Sequence, residues 1–218
     1  MESYKREFIQ FLQSAGVLKF GDFTAKSGRK IPYFINAGEI KTGDQICKLG
    51  EFYAKAYFEK IGNKRTVLYG PAYKGIPIAV AASVALSKNG LDVPFFFNRK
   101  EAKDHGEGGI FVGYTPREGE EIVIVEDVIT AGTAIRESMA NLASLAGTRV
   151  AATFVMVDRK EKGKGDKGAM VEIEEEFGFP VYSVVDVYDI IEYLEEDAAN
   201  AENVARIKNY LAVNGADA

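Results

Sequence analysis

The spacing of hydrophobic residues changes along the chain from a helical to a strand pattern. Residues 4–15 carry apolar side chains three and four positions apart, with Ser3 as a predicted N-cap and Gly16 as a stop, and so predict an amphipathic helix. Residues 122–125 read Ile-Val-Ile-Val, which is typical of a strand buried on both faces of a parallel sheet. The two patterns together predict helices packed on a central sheet.

Apolar strands and amphipathic helices alternate over most of the chain. Strands are predicted at residues 66–70, 93–97, 109–113, 122–125, 150–157 and 181–185. Helices are predicted at residues 4–15, 44–61, 76–87, 133–145, 170–177, 187–195 and 201–213. The alternation predicts an α/β fold with a mainly parallel central sheet flanked by helices. We expect one domain over residues 1–218, in which residues 1–42 contribute the N-terminal helix and a small cap over the strand ends.

Composition narrows the class of protein. The net charge of −5 argues against a general binder of nucleic acid or of anionic membranes. The charged N-terminus shows no signal-peptide pattern, and the single cysteine, Cys47, cannot form an internal disulfide. Its neighbours Ile46 and Leu49 suggest that Cys47 is buried. These features predict a cytoplasmic protein, and the compact basic segment around Arg99 points to a small anionic ligand.

Two acids and a Thr/Gly-rich turn follow the apolar strand 122–125. Glu126 and Asp127 come where the strand leaves the sheet, which is the usual position of ligands in open α/β folds. The turn from Thr130 to Thr133 then offers backbone N–H groups and hydroxyls at a helix N-terminus, an arrangement that binds anions. Carboxylates beside an anion site suit a phosphorylated sugar.

Simpler explanations exist for each part of this pattern. A threonine of the turn can merely cap the helix, and Glu126 with Asp127 can be a solvated strand end. A glycosidase pair fits poorly, because its carboxylates face each other across a cleft from separate segments. A nucleotide P-loop also fits poorly, since the sequence contains no G-x-x-x-x-G-K-[ST] motif.

Two further segments carry candidate chemistry. The turn 70–75, Gly-Pro-Ala-Tyr-Lys-Gly, follows a strand. It is either an ordinary turn between a strand and a helix or an oxyanion site that includes Lys74. Residues 98–109 combine three glycines with Arg99, Lys100, Lys103 and the only histidine, His105. This segment is either a solvated hairpin or a mobile loop whose cations neutralise a departing diphosphate and exclude water. With one cysteine and one histidine in the chain, a zinc site is not expected.

These motifs in this order resemble a known family. The stretch 122–134 resembles the ribose-phosphate motif of type I phosphoribosyltransferases, which use 5-phosphoribosyl 1-diphosphate (PRPP). Lys-Ser-Gly-Arg at 26–29, Pro-Tyr-Phe at 32–34, Asn-Ala-Gly at 36–38, the loop 99–106 and Val-Asp-Arg at 157–159 resemble the orotate phosphoribosyltransferases. The resemblance covers nearly the whole chain. It implies that orotate and PRPP react to give orotidine 5′-monophosphate and diphosphate in pyrimidine biosynthesis.

The resemblance also implies roles for individual residues. The residues implied in catalysis are Lys26, Lys103, His105 and Asp127. Those implied in PRPP binding are Lys26, Tyr73, Lys74, Arg99, Lys100, Lys103, His105, Glu126, Asp127, Val128, Ile129, Thr130, Ala131, Gly132, Thr133 and Ala134. Those implied in orotate binding are Phe34, Ile35, Thr130 and Arg159. Two positions depart from many relatives, which have Asp in place of Glu126 or a second Phe in place of Ile35.

The resemblance implies Mg²⁺ as the cofactor, bound mainly through PRPP and water rather than by protein ligands. It also implies a homodimer in which the loop 99–105 reaches the neighbouring site, and neither a nucleic-acid nor a membrane partner. Two alternatives stay open at this point: a phosphoribosyltransferase for another nucleobase and a PRPP-binding regulator without catalysis. The remaining basic residues of 160–167 are expected to form a surface loop.

Overall fold

The computed structural model of the protein describes residues 1–25, 28–103, 109–129, 132–163 and 165–216. The strands within these ranges are β1 (Leu18–Thr24), β2 (Lys30–Ile35), β3 (Val67–Gly70), β4 (Phe95–Lys103), β5 (Gly109–Gly113), β6 (Glu121–Val125), β7 (Arg149–Asp158) and β8 (Val181–Asp186). The α-helices are α1 (Ser3–Ser14), α2 (Gly43–Lys60), α3 (Gly75–Lys88), α4 (Thr133–Leu142), α5 (Ala169–Phe177), α6 (Val187–Glu195) and α7 (Ala201–Asn214).

In the described part of the chain, a six-stranded sheet forms the centre of the molecule, in the order β5-β4-β3-β6-β7-β8. The β3–β4, β3–β6, β6–β7 and β7–β8 pairs are parallel, and β4 pairs with β5 in the antiparallel direction. The prediction of a mainly parallel α/β sheet is therefore confirmed. Among the described residues, no helix combines the length and the apolar character needed to cross a bilayer.

The side chains of successive residues in β6 point to opposite faces of the sheet, as the pleat of a strand requires. Val123 and Val125 belong to the core formed with α1, α2, α3, α6 and α7. Ile122 and Ile124 belong to the second core, with α4 and α5. Helices on both faces explain why residues 122–125 of the strand are all apolar.

A second, small sheet forms the cap. Strands β1 and β2 pair in the antiparallel direction, and the ring of Tyr210 in α7 meets the ring of Tyr33 in β2 edge-on at 6.4 Å. Arg159, which directly follows β7, lies with its guanidinium carbon 5.1 Å from the centre of the Tyr33 ring. The cap thus closes over the carboxyl end of β7, in agreement with the expected position.

The structure corrects several details of the sequence-based predictions. Ser3 begins α1, and Glu2 is the N-cap residue. Strand β4 starts later than predicted and continues to Lys103. It pairs with β5 from Phe96 to Asn98 and again at Lys103, so residues 98–103 form one arm of a hairpin, which was the alternative to a loop. Cys47 is exposed rather than buried, since it faces outward from α2, 3.8 Å from the Lys88 ammonium.

Candidate active site

Glu126 and Asp127 occupy a fixed position at the carboxyl end of β6. Each is only 7% exposed. The Tyr53 hydroxyl donates to the Glu126 carbonyl at 2.6 Å, and the Met156 N–H of β7 donates to the Asp127 carbonyl at 2.8 Å. Helix α2 and strand β7 therefore hold the backbone of both acids in place. Of these two residues, only the carboxyl groups can change their orientation.

Burial dominates the electrostatics of this acid pair. It raises the pKa of Glu126 to about 8, and repulsion from the Asp127 carboxylate acts in the same direction. The Asp127 N–H donates to Glu126 Oε1 at 3.0 Å and partly offsets this rise in the pKa of Glu126. Burial therefore favours the protonated form of the Glu126 carboxyl.

Lys74 connects the acid pair to the turn after β3. Its ammonium lies 2.9 Å from Asp127 Oδ2. The two segments meet because β3 and β6 are adjacent parallel strands, so that their carboxyl ends share one edge of the sheet, as predicted. The close approach requires glycine at the start of α3: a Cβ atom on Gly75 would lie 2.7 Å from both Pro71 Cδ and the Val125 carbonyl oxygen.

The N-terminus of α4 lies beyond the acid pair. Gly132 adopts the left-handed conformation, with φ of 70°, and no side chain of the described residues caps the helix. Thr133 and Ala134, in the first helical turn, are exposed. Uncapped N–H groups and the helix dipole favour an anion at this position. Two residues of the same predicted set, Thr130 and Ala131, lie outside the described residues.

The turn after β3 also contacts β4 through Asn98. Its Oδ1 accepts from the Tyr69 hydroxyl at 2.8 Å and from the Ala72 N–H at 3.0 Å. Next to this contact, the Lys100 ammonium lies 5.0 Å from the centre of the exposed Tyr73 ring. Asn98, which the sequence did not single out, thus fixes the turn relative to the strand that carries the cations.

The candidate cations differ in their positions. Arg99 donates to the carbonyl oxygens of Gly109 and Phe111, at 3.2 and 3.4 Å, and so holds the β4–β5 hairpin together. Lys103 belongs to β4, and its side chain is not among the described parts of the structure. Lys26 and His105 lie outside the described residues. The roles implied for these four residues stay predictions.

One cleft of about 490 Å³ extends from the acid motif to the cap. Lys74, Val128 and Ile129 line its sheet side, whereas Phe34 and Ile35 line its cap side. Val128 is held by a parallel bridge to Val157, and Phe34 stacks on Phe23 with the ring centres 5.4 Å apart. Three residues of the group predicted to bind PRPP therefore share a space with residues predicted to bind the base.

Arg159 is the most buried cation of the cleft. Its side chain is 15% exposed, and its Nη2 lies 2.6 Å from Glu161 Oε1. That contact is an ion pair without hydrogen-bond alignment, since Nη2 has no hydrogen-bond partner among the described residues. Its Nε donates to the Tyr33 hydroxyl at 3.5 Å. The guanidinium consequently has N–H groups left for a planar anion.

Sequence reasoning missed the residues that surround Arg159. Residues 160–163 line the cleft, so their prediction as a plain surface loop is wrong. Glu161 accepts a hydrogen bond from the Tyr33 hydroxyl at 3.3 Å and pairs with Arg29 at 3.5 Å. Glu161, an acid two positions after Arg159, could have suggested a partner for that arginine. Nothing in the sequence, however, showed which side of the segment faces the cleft.

Metal binding by the protein alone is not indicated in the described ranges. They contain no group of three or more His, Cys, Asp or Glu side chains that is arranged to hold an ion. Asp127 is paired with Lys74, and Glu126 Oε1 already accepts a backbone N–H. The free oxygens at this site therefore suit a cation that brings most of its ligands with it.

Comparison with known proteins identifies the relatives of this chain. The family model of the phosphoribosyl transferase domain matches residues 36–185. An orotate phosphoribosyltransferase of Vibrio cholerae is 52% identical over 220 residues, which cover 99% of this chain and 100% of the relative. One from Clostridium acetobutylicum is 48% identical, covering 93% and 91%. The crystal structure of the Francisella tularensis orotate phosphoribosyltransferase matches with a TM-score of 0.85 at 38% identity, covering 96% of this chain and 100% of that chain.

Proposed function

The chain belongs to the orotate phosphoribosyltransferase family, and we propose that its cleft transfers the 5-phosphoribosyl group of PRPP to orotate. The products are orotidine 5′-monophosphate and diphosphate. One observation carries the proposal: Lys74 and Ile129 of the sheet edge line the same cleft as Phe34 and Arg159. An anionic sugar donor and a flat carboxylated base can therefore meet in it.

The ribose phosphate occupies the sheet edge in this proposal. Glu126 and Asp127 bind the ribose hydroxyls, while the turn from Val128 to Ala134 encloses the 5′-phosphate at the N-terminus of α4. The exposed first turn of that helix, which no described side chain caps, supports this position for the phosphate. The Lys74 ammonium, 2.9 Å from Asp127, lies where it can also contact the diphosphate of PRPP.

The base occupies the cap side of the cleft. Arg159 binds the orotate carboxylate through its planar fork, and Phe34 with the Ile35 backbone contacts the ring. A ring nitrogen of orotate then attacks the anomeric carbon and gives up its proton to water, and the bond from that carbon to the diphosphate oxygen breaks, with the electron pair leaving on the diphosphate. The buried Asp127 carboxylate stabilises the positive charge that develops on the ribose ring during this displacement. No protein nucleophile is required.

Mg²⁺ fits this site as an ion carried by the substrate. We propose that diphosphate oxygens and water supply most of its ligands, and that the bound ion neutralises the leaving group. Lys26, Tyr73, Arg99, Lys100, Lys103 and His105 complete the diphosphate contacts in this proposal. Removal of divalent cations with a chelator should abolish turnover, and added Mg²⁺ should restore it.

We also propose a homodimer in which the cations of the β4–β5 hairpin act on the neighbouring site. A cytoplasmic location and a single domain over the whole chain stay predictions. Mixing Lys103→Ala dimers with Asp127→Asn dimers tests the shared site, because subunit exchange would place both intact residues in one of the two clefts. Recovery of activity supports the proposal, whereas no recovery under verified exchange contradicts it.

A turnover assay across free bases tests the reaction itself. With PRPP and Mg²⁺ present, the protein should consume orotate in preference to uracil, adenine and hypoxanthine. Clear preference for another base would show a different phosphoribosyltransferase. Binding of PRPP without turnover of any base would show a regulator.

A further inference from the structure

Glu161 joins two side chains of the cap, Arg29 and Tyr33, to Arg159 of the segment after β7. We propose that Glu161 is a positioning residue: it holds Arg159 in the orientation that binds the carboxylate of the base, and so contributes to the selection of a carboxylated pyrimidine. This proposal rests on the proposed function. Glu161 acts through Arg159 and does not itself need to touch the substrate.

The contacts of the Glu161 carboxylate support this role. Oε1 lies 2.6 Å from Arg159 Nη2 and 3.3 Å from the Tyr33 hydroxyl, which donates to it. Oε2 lies 3.5 Å from Arg29 Nη1. The side chain is only 16% exposed. One carboxylate thus bridges two arginines and the tyrosine whose ring lies under Arg159.

Burial makes the bridge important for the position of Arg159. A guanidinium that is only 15% exposed is costly to place without a counter-charge. The same carboxylate lies between the positive charges of Arg29 and Arg159, which would otherwise repel each other. Loss of the negative charge should let the two guanidinium groups move apart and should release Arg159 from its place over the Tyr33 ring.

The geometry leaves Arg159 available for a ligand. Its Nη2 contact with Glu161 is not an aligned hydrogen bond, and Tyr33 accepts from Nε at the long distance of 3.5 Å. Glu161 therefore holds the Arg159 guanidinium group in place without occupying all its N–H groups. The same Nη1 of Arg29 that pairs with Glu161 also donates to the Tyr210 hydroxyl at 3.4 Å. The cap helix α7 and the segment after β7 are joined through this cluster.

Glu161→Gln tests the proposal, because it removes the charge and keeps the shape. We expect KM for orotate to rise about 10-fold, with kcat and the KM for PRPP changed by less than about 3-fold, because a misplaced Arg159 weakens only the contacts to the base. Glu175→Gln is the matched control, since Glu175 pairs with Lys167 on the exposed face of α5. Glu161→Asp, which keeps the charge on a shorter stem, should recover part of the loss.

A merely structural role would give a different pattern. Inhibition of the reaction by uracil, a pyrimidine without the carboxylate, should change by less than about 2-fold in Glu161→Gln if Arg159 is the affected group. An unchanged or lower KM for orotate overturns the proposal, and the lower value would mean that Glu161 competes with the substrate for Arg159. An equal loss for orotate, uracil and PRPP, together with a lower melting temperature, overturns it as well. If the wild-type protein does not use orotate, the proposed function fails before the variants are compared.

Discussion

The half of the cleft proposed for the ribose phosphate comes from one continuous stretch, residues 121–134, with Lys74 from the neighbouring strand end. The half proposed for the base draws instead on β2, on the segment after β7 and on α7. Tyr33 and Arg159, which contact each other there, are 126 positions apart in the chain. The first half is a strand, a turn and a helix in sequence, whereas the second exists only after the cap has packed onto the sheet.

This difference separates two ways of building a site. Backbone hydrogen bonds to β7 and to Tyr53 hold the acid motif, so its geometry follows from the sheet. Side-chain ion pairs hold the base half, so its geometry depends on charges that a single substitution removes. We therefore expect changes in the first half to affect the reaction with every base, and changes in the second half to affect orotate selectively.

Asp127→Asn should give the largest effect. Loss of the buried charge that faces the developing positive charge should lower kcat about 10²–10³-fold, for orotate and for any weaker substrate alike. Turnover at saturating substrate, together with a thermal melt, measures this. Asp22→Asn, which breaks an exposed ion pair with Arg206, is the control. Unchanged turnover in Asp127→Asn would show that the acid motif does not take part in the reaction.

Arg159→Gln should affect the base half alone. Loss of a charge-assisted contact to the carboxylate should raise KM for orotate about 10–100-fold, whereas KM for PRPP should stay within about 2-fold. Steady-state kinetics with each substrate varied in turn measures both constants. Arg65→Gln, at a surface ion pair with Glu120, should leave both constants unchanged. A similar rise in both constants would show that the two halves are not separable.

Gly75→Ala tests the backbone contact between the two strand ends. The added Cβ would collide with Pro71 and with the Val125 carbonyl, so the free energy of unfolding should fall by about 1–3 kcal/mol, with reduced turnover for every base. Denaturant titration measures the loss. Gly43→Ala, at the first residue of α2 with no atom within 4 Å of the new Cβ, is the matched control. Equal stability of the two variants would contradict the packing argument.

Glu126→Gln should have the smallest effect, visible in the pH dependence of stability. The pKa of Glu126 is raised from 4.5 to about 8 in the folded protein, so the folded state keeps a proton that the unfolded chain releases. Its contribution is full below pH 4.5 and is lost as the pH rises through about 8. The free energy of unfolding should fall with pH in this window, with a contribution of up to about 1.4 kcal/mol per pH unit.

Denaturant titrations between pH 5 and pH 8 measure this slope. Glu126→Gln cannot titrate, so its slope should be shallower than that of the wild type. The control is Glu175→Gln, which removes an exposed carboxylate of α5. Equal slopes for Glu126→Gln and the wild type would mean that the Glu126 carboxyl titrates with an ordinary pKa.

Much of this architecture was predictable, because its signals are local. The alternation of apolar strands and helices predicted the parallel sheet, and the motifs from residue 26 to residue 159 predicted the family, which the comparisons confirm. The errors fall where tertiary contacts decide. Cys47 was expected to be buried because its neighbours are apolar, yet it faces outward from α2. Residues 98–103 were compatible with a mobile loop by composition, yet they continue β4, which pairs with β5 at Asn98 and again at Lys103.

The sequence alone determined that an apolar strand ends in Glu126 and Asp127 and that a turn and a helix follow, because strand burial, turn chemistry and helix N-termini are encoded by adjacent residues. It also placed Arg159 at the end of a strand. Only the tertiary structure decided that Glu161 faces the cleft and bridges Arg159 to Arg29. The physical reason is that a buried ion pair depends on which side chains the packed cap brings within reach, and sequence spacing carries no information about that distance.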